Sequence, residues 1–113
     1  MPIINLDKNT VLAQHIIIAD TPISRMKGLL GRSSLPPGEA LVISNCQSIH
    51  MVFMAFAIDV VFVNKDQKVV GLVSDIQPFQ FSPIFWKAKS AIELPSGTIG
   101  ASQTAIGHTI SIQ

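Results

Sequence analysis

The two most reactive side chains of the sequence lie close together in the middle of the chain. Cys46 and His50 are four positions apart, so they share one face of either a helix or a strand. An imidazole beside a thiol lowers the thiol pKa and gives a nucleophile with its base. With Met51 or Met54 added, the same residues offer soft ligands to copper(I). The spacing therefore suggests either a Cys–His enzyme or a soft-metal site.

Both chemistries are incomplete at the level of spacing. Cys46-x-x-x-His50 is half of a zinc site, and no second ligand pair follows at a metal spacing. His15 and His108 are distant in sequence and would have to converge in the fold. We therefore favour a small buried thiol beside a hydrogen-bonded loop histidine. We predict no catalytic residue, no metal and no cofactor, with Cys46, His50 and Met54 kept as weak metal candidates.

An acidic residue interrupts an apolar strand just after this segment. Asp59 lies within Ile58 to Val63, where both faces of an extended chain are apolar. A buried carboxylate is costly unless it is hydrogen-bonded or paired. We expect its oxygens to accept bonds from loop N–H groups or to pair with Arg25 or Arg32. The alternative is a carboxylate that lines a ligand cleft.

Two arginines lie on one face of a predicted helix. Arg25 and Arg32 are seven positions apart with Gly28 between them, and together they would suit a planar anionic ligand. We favour instead an ion pair between one of them and Asp59 or Glu93. Glu93 itself belongs to an alternating strand, where we expect it to be half-exposed.

Aromatic side chains crowd one proline-punctuated segment near residue 80. We expect them to close the core, because a chain this apolar has much surface to cover. The alternative is an exposed aromatic ledge for a partner. The residues concerned are Phe79, Phe81, Phe85 and Trp86.

The elements that must position these residues are mostly short strands. Asp20-Thr21-Pro22 starts a helix over about 22–30, Lys65 to Gln67 makes a hairpin turn, and a short helix is expected near 98–103. This pattern predicts a mainly β fold, a compact jelly-roll-like sandwich or half-barrel. The predicted strands are Ile3 to Leu6, His15 to Ala19, Ala40 to Ser44, Phe56 to Asn64, Lys68 to Ser74, Lys89 to Leu94 and His108 to Ile112.

Length and composition exclude several classes of function. The chain has 113 residues, 48% apolar and 13% charged, with a net charge of +1, which suits a single domain over 1–113. There is no basic run for nucleic acid, and the longest apolar run, Met51 to Ile58, is too short to span a bilayer. One cysteine excludes an internal disulfide. We expect a cytoplasmic protein without a signal peptide, as a monomer or weak dimer.

Three segments in order resemble the signatures of an uncharacterised prokaryotic family, domain of unknown function 192. They are residues 25–35 (Arg-Met-Lys-Gly-Leu-Leu-Gly-Arg-Ser-Ser-Leu), 46–62, which begins with the Cys-x-x-Ile-His form of the central signature, and 94–98 (Leu-Pro-Ser-Gly-Thr). Leu30, Ala57 and His108 depart from the family pattern. The resemblance implies a mostly β fold and implies no activity.

We therefore hold four functions side by side. The favoured one is a non-catalytic module that binds a small molecule or peptide in a cleft near Cys46 to Asp59. A structural or partner-binding subunit with an apolar surface ranks second, a soft-metal protein third, and a Cys–His enzyme last. The candidate ligand-binding residues are Asp59, His50, Arg25, Arg32 and Cys46.

Overall fold

A computed structural model describes residues 2–19, 34–51 and 54–112 of the chain. The described residues form eight strands and one short helix. The elements in chain order are β1 Ile3–Asn5, β2 Thr10–Ala13, β3 His15–Ala19, β4 Glu39–Ser44, β5 Ile58–Val63, β6 Val69–Ile76, β7 Ser90–Pro95, α1 Thr98–Ser102 and β8 Ile110–Ile112.

Five of these strands form the sheet that carries the signature residues. Their order is β3-β4-β7-β5-β6, with β3 parallel to β4 and the other pairs antiparallel. Every residue of β5 is buried, because the strand lies in the interior of the sheet, between β7 and β6, and the sheet is covered on both faces. Burial on both sides explains why Ile58–Val63 is apolar on both of its faces.

A three-stranded sheet covers one face of the larger sheet. Its order is β2-β1-β8, and α1 packs beside it. The buried side chains between these layers form a sheet-side core, in which β-branched residues predominate. The sheet-side core consists of Ile3, Leu12, Ala13, Ala40, Val42, Val61, Val63, Val69, Ile92, Leu94, Ile99 and Ile110.

The described residues that cover the other face of the five-stranded sheet come largely from irregular segments. Ile49, Met51 and Met54 from the central signature, with Leu35 and Ala88, pack against it. We call this cluster the loop-side core. It consists of Ala19, Leu35, Leu41, Ile43, Ile49, Met51, Met54, Ile58, Val60, Phe62, Ile76, Ala88 and Ala91.

The predicted mainly β fold is confirmed. Within the described ranges the strands form two sheets and close no barrel. The short helix expected near 98–103 is α1, whereas β2 was not predicted. The helix expected over 22–30 lies outside the described residues. None of the described helices is long and apolar enough to cross a membrane.

The predicted hairpin between β5 and β6 is confirmed, and one side chain organises it. Asn64 Oδ1 accepts hydrogen bonds from the N–H groups of Asp66, at 2.9 Å, and Lys68, at 3.0 Å. Gln67 adopts a φ of 63°, in the left-handed region. Asparagine is common at such turns because its side chain replaces a backbone acceptor.

A buried polar network ties the two ends of the chain together. Asn5 Nδ2 lies 3.2 Å from Thr104 Oγ1 and 3.0 Å from His108 Nδ1. The ring nitrogen of His108 also accepts the N–H of Ala105 at 3.2 Å. These contacts require the tautomer with its hydrogen on Nε2, since Nδ1 accepts. His108, one of the departures from the family pattern, therefore joins β1 to the turn before β8.

Candidate functional site

Asp59 is held by backbone groups from two neighbouring elements. Its side chain is 1% exposed and lies on the sheet-side face of β5. Oδ1 accepts the N–H of Asp75 at 2.8 Å, and Oδ2 accepts the N–H groups of Gly97, at 3.1 Å, and Ile99, at 2.8 Å. Of the two partner types we expected, loop N–H groups are the ones found among the described residues.

These bonds make Asp59 a positioning residue for an irregular point of β6 and for the turn before α1. Gly97 has a φ of 97°, which a glycine adopts without strain, and its N–H points back at the carboxylate. Asp75 has a φ of 52° and uses its own carboxylate to accept the hydroxyl of Ser96 at 2.6 Å. Arg25 and Arg32, the alternative partners, lie outside the described residues.

The turn supported by Asp59 forms one wall of an open groove of about 670 Å³. Pro95, Ser96, Gly97 and Thr98 line that wall, and strand β2 with Gln14 also lines the groove. No described residue of the range 46–59 lines this groove. The carboxylate of Asp59 thus reaches the groove only through the backbone that it holds, and its predicted role in ligand binding stays a prediction.

The three residues of the Cys–His–Met set differ in exposure. Cys46 is half-buried, and its thiol donates to the carbonyl oxygen of Ser48 at 3.1 Å. His50 is exposed, whereas Met54 is buried in the loop-side core. Among the described residues, no three His, Cys, Asp or Glu side chains are grouped so that they would hold a metal ion.

The aromatic segment does not close the core as we expected. Phe79 is 61% exposed, Phe81 71%, Ile84 51% and Trp86 74%. Only Phe85 turns inward, where its ring lies 4.6 Å from that of Phe62. Composition predicted burial, but the segment is irregular and Phe79 has a φ of 68°, so the directions of its side chains do not follow a simple alternation. Of its aromatic side chains, only Phe85 packs against the loop-side core.

This exposure does not come from a loosely attached loop. Four backbone hydrogen bonds of 2.7 to 2.9 Å join residues 79–85 to residues 47–51. Ser82 is buried, and its Oγ accepts the N–H of Ile49 at 2.9 Å. The side chain of Gln47 donates to the carbonyl oxygen of Trp86 at 2.9 Å. The central signature therefore acts as the backbone support of the aromatic segment.

Close packing fixes the same segment from below. The ring of Phe85 lies against Gly71 of β6, and a Cβ at that position would overlap the ring. His50 and Phe81 form an isolated antiparallel bridge, with ring centroids 6.3 Å apart. We call Phe81, Ile84 and Trp86 the aromatic ledge. These are exposed apolar side chains on a backbone fixed by hydrogen bonds, and Phe81 lies beside His50.

Glu93 is the chemically distinctive residue that the sequence did not reveal. The expectation of half-exposure is wrong, because its side chain is 6% exposed. Burial raises the pKa of Glu93 to about 7, and no described residue makes a hydrogen bond to its Oε1. Burial of Glu93 could have been inferred from its neighbours in the sheet. Strand β7 lies between β4 and β5, which are both apolar on both faces, so β7 is covered on both faces as well.

The fold and these features define a mainly β domain with two sheets. Its aromatic ledge is held by hydrogen bonds from the central signature. The chain belongs to the DUF192 family, described as Uncharacterized ACR, whose model matches residues 3–112. The resemblance seen in the motifs is thereby confirmed. The family is one of unknown function.

Two curated relatives and two solved structures are similar to the chain. A UPF0127 protein of Thermococcus sibiricus is 32% identical over 112 residues, 96% of this chain and 72% of that protein. A UPF0127 protein of Pyrococcus furiosus is 31% identical over 113 residues, 95% of this chain and 94% of that protein.

Both solved structures are similar in fold. A protein of unknown function from Novosphingobium aromaticivorans has a TM-score of 0.84 at 18% identity, over 99% of this chain and 84% of that one. A putative transcription regulator from Sinorhizobium meliloti has a TM-score of 0.78 at 16% identity, over 97% of this chain and 89% of that one. At these identities the similarity shows the fold alone.

Proposed function

We propose that this protein is a non-catalytic binding module that takes an apolar peptide segment of a partner protein on the aromatic ledge. The observation that carries the proposal is the exposure of Phe81 and Trp86, 71% and 74%, on a backbone fixed by hydrogen bonds. A fixed ledge loses little conformational freedom on binding, which favours affinity. Tryptophan and phenylalanine are also enriched at the centres of protein interfaces.

Charge around the ledge indicates the chemistry of the partner. Residues 76–89 contain Lys87 and Lys89 and no acidic residue. Both lysines are exposed, and Lys89 Nζ lies 2.6 Å from Asn45 Oδ1. A peptide with apolar side chains flanked by aspartate or glutamate complements this surface. Such a contact weakens as salt is added, since exposed charges are screened.

Nucleic acid is not proposed as a ligand, although one structural neighbour is described as a putative transcription regulator. At 16% sequence identity, the similarity to that protein shows a shared fold and nothing about function. The net charge of this chain is +1, without a run of basic residues. A nucleic-acid surface normally concentrates Lys and Arg on one face.

The chain contains its own reporter for a test of this function. Trp86 is the only tryptophan and tyrosine is absent, so tryptophan emission comes from the ledge alone. A random peptide library displayed on phage is selected on the wild-type protein alone, and the recovered peptides are then measured on the Phe81→Ser/Ile84→Ser variant. We expect enriched peptides to be apolar with acidic flanks and to shift Trp86 emission to shorter wavelength, because the indole loses water contact.

The matched control is Leu6→Ser, which removes an equally exposed apolar side chain from the turn after β1. We expect the affinity of a selected peptide to fall at least about tenfold in the Phe81→Ser/Ile84→Ser variant, which loses two anchoring side chains. Leu6→Ser should bind like the wild type. Peptides that bind the double variant equally well, or that leave Trp86 emission unchanged, contradict the proposal.

A further inference from the structure

Strand β3 lies at an edge of the five-stranded sheet, with β4 as its neighbour on one side. The N–H of His15 donates to the carbonyl oxygen of Gly38 at 3.0 Å, so it points towards β4. Backbone groups alternate in direction along a strand, and those of Ile16 and Ile18 therefore point away from β4. No described residue outside β4 forms a backbone hydrogen bond with Ile16, Ile17 or Ile18.

The side chains of this edge are apolar and accessible. Ile17 is 48% exposed and Ile18 is 53% exposed. The strand His15–Ala19 contains no lysine, proline or acidic residue. Such residues commonly prevent an edge strand from pairing with another chain. Among the described residues, strand β3 therefore offers both backbone groups without a partner and apolar surface.

The other edges of the two sheets are protected in different ways. Helix α1 packs on β2, where Thr10 Oγ1 donates to the carbonyl oxygen of Ser102 at 2.8 Å. Strand β6 carries the exposed, left-handed Asp75. Strand β8 has three residues and begins beside a bridge from Lys68 to Thr109. The contrast singles out β3 as the edge open to pairing.

We propose that two copies of this chain associate by antiparallel pairing of β3 with β3 of the second copy. The two-fold axis passes beside Ile17, which then faces Ile17 of the other copy. Ile16 faces Ile18 of the other copy, and the two such pairs exchange hydrogen bonds through the groups that point outward. The two five-stranded sheets become one continuous sheet.

The sequence of the strand favours a second copy as the occupant. Ile16, Ile17 and Ile18 are all apolar and uncharged, so each pair that the two-fold axis brings face to face is compatible. The net charge of +1 gives little repulsion between copies. A strand of five residues buries less surface than a stable dimer needs, so we expect dimers only above roughly 0.1 mM.

A disulfide across the axis tests the register. Residues that face each other in a non-hydrogen-bonded pair have Cα atoms about 4.5 Å apart, within the range that a disulfide bridges. In a Cys46→Ser background, Ile17→Cys should form a covalent dimer with diamide as the oxidant. Ile18→Cys is the matched control, because it is similarly exposed but faces Ile16 of the other copy. We expect Ile17→Cys to cross-link at least about tenfold faster.

Sedimentation of the unmodified protein gives an independent test that needs no engineered thiol. We expect its average mass to rise between about 0.01 and 1 mM. Ile17→Lys should abolish the rise, because two like charges then meet at the axis, whereas Leu6→Lys should not. A wild-type protein that stays monomeric up to about 1 mM overturns the proposal. Equal cross-linking of Ile17→Cys and Ile18→Cys overturns it too.

Discussion

At position 93 a carboxylic acid lies in the middle of a sheet, between Leu41 of β4 and Val60 of β5. Both neighbours belong to the loop-side core. Loss of water raises the pKa of Glu93 from 4.5 to about 7, so the neutral acid is the form that this environment favours. An acid held neutral in this way is typical of functional sites, although structural positions show it as well.

The buried acid makes stability depend on pH. Between pH 4.5 and about 7 the unfolded chain releases the proton of Glu93 while the folded protein retains it. The unfolded state then binds fewer protons, so the free energy of unfolding falls as pH rises through this window and levels off above it. The loss amounts to about 3 kcal/mol at most. Urea denaturation at a series of pH values measures it.

The matched variants for this prediction are Glu93→Gln and Asp66→Asn. Glutamine keeps the shape of the side chain and does not titrate, so the decline between pH 4.5 and about 7 should disappear. Asp66 is exposed in the β5–β6 turn, and its replacement should leave the decline in place. A Glu93→Gln protein that retains the full decline would assign the pH dependence to another group.

Asp59 gives a second prediction at the scale of one residue. Asp59→Asn places an amide NH₂ where an oxygen now accepts a backbone N–H, so at least one buried donor loses its partner. We expect the free energy of unfolding to fall by about 2–4 kcal/mol, since the lost acceptor is charged and buried. Hydrogen exchange should speed up at Asp75 or at Gly97 and Ile99. Unchanged stability and exchange would contradict the positioning role.

Among the elements, those with β-branched runs could be predicted from sequence. His15–Ala19 was predicted with its observed bounds, and β4 and β7 within one residue at each end. Strand β2 was missed because its four residues, Thr10–Ala13, pair through a turn whose acceptor is a side chain. Asn5 Oδ1 accepts the N–H groups of Asp7 and Lys8 in this turn. The alternation of apolar and polar residues along the sequence does not reveal such a side-chain contact.

The candidate site was predictable only in part, for the same reason. The sequence indicated that Asp59 is buried and must have partners, and its strand context was enough for that inference. It did not indicate which side of the 79–86 segment meets the sheet, because Phe85 and Trp86 look alike as aromatic residues. The choice depends on Gly71, which leaves room for the ring of Phe85 on β6.

For the whole molecule, the arrangement of the two cores makes a prediction about cooperativity. Strands β4, β5 and β7 contribute alternate residues to the loop-side core and to the sheet-side core. Neither core can lose its packing without disturbing strands that the other requires. We therefore expect the domain to unfold in a single transition, as small domains usually do.

Two adjacent valines test this expectation. Val60 lies in the loop-side core and Val61 in the sheet-side core, and both are fully buried. Val60→Ala and Val61→Ala should each lower the free energy of unfolding by about 2 kcal/mol, through lost burial and a small cavity. Methyl NMR signals of Met51 and Ile110 report the two cores separately during urea denaturation. Each variant should shift both signals to the same lower midpoint, because the strands are shared. If Val61→Ala shifts the Ile110 signal and leaves that of Met51 in place, the cores are independent and the sheet does not couple them.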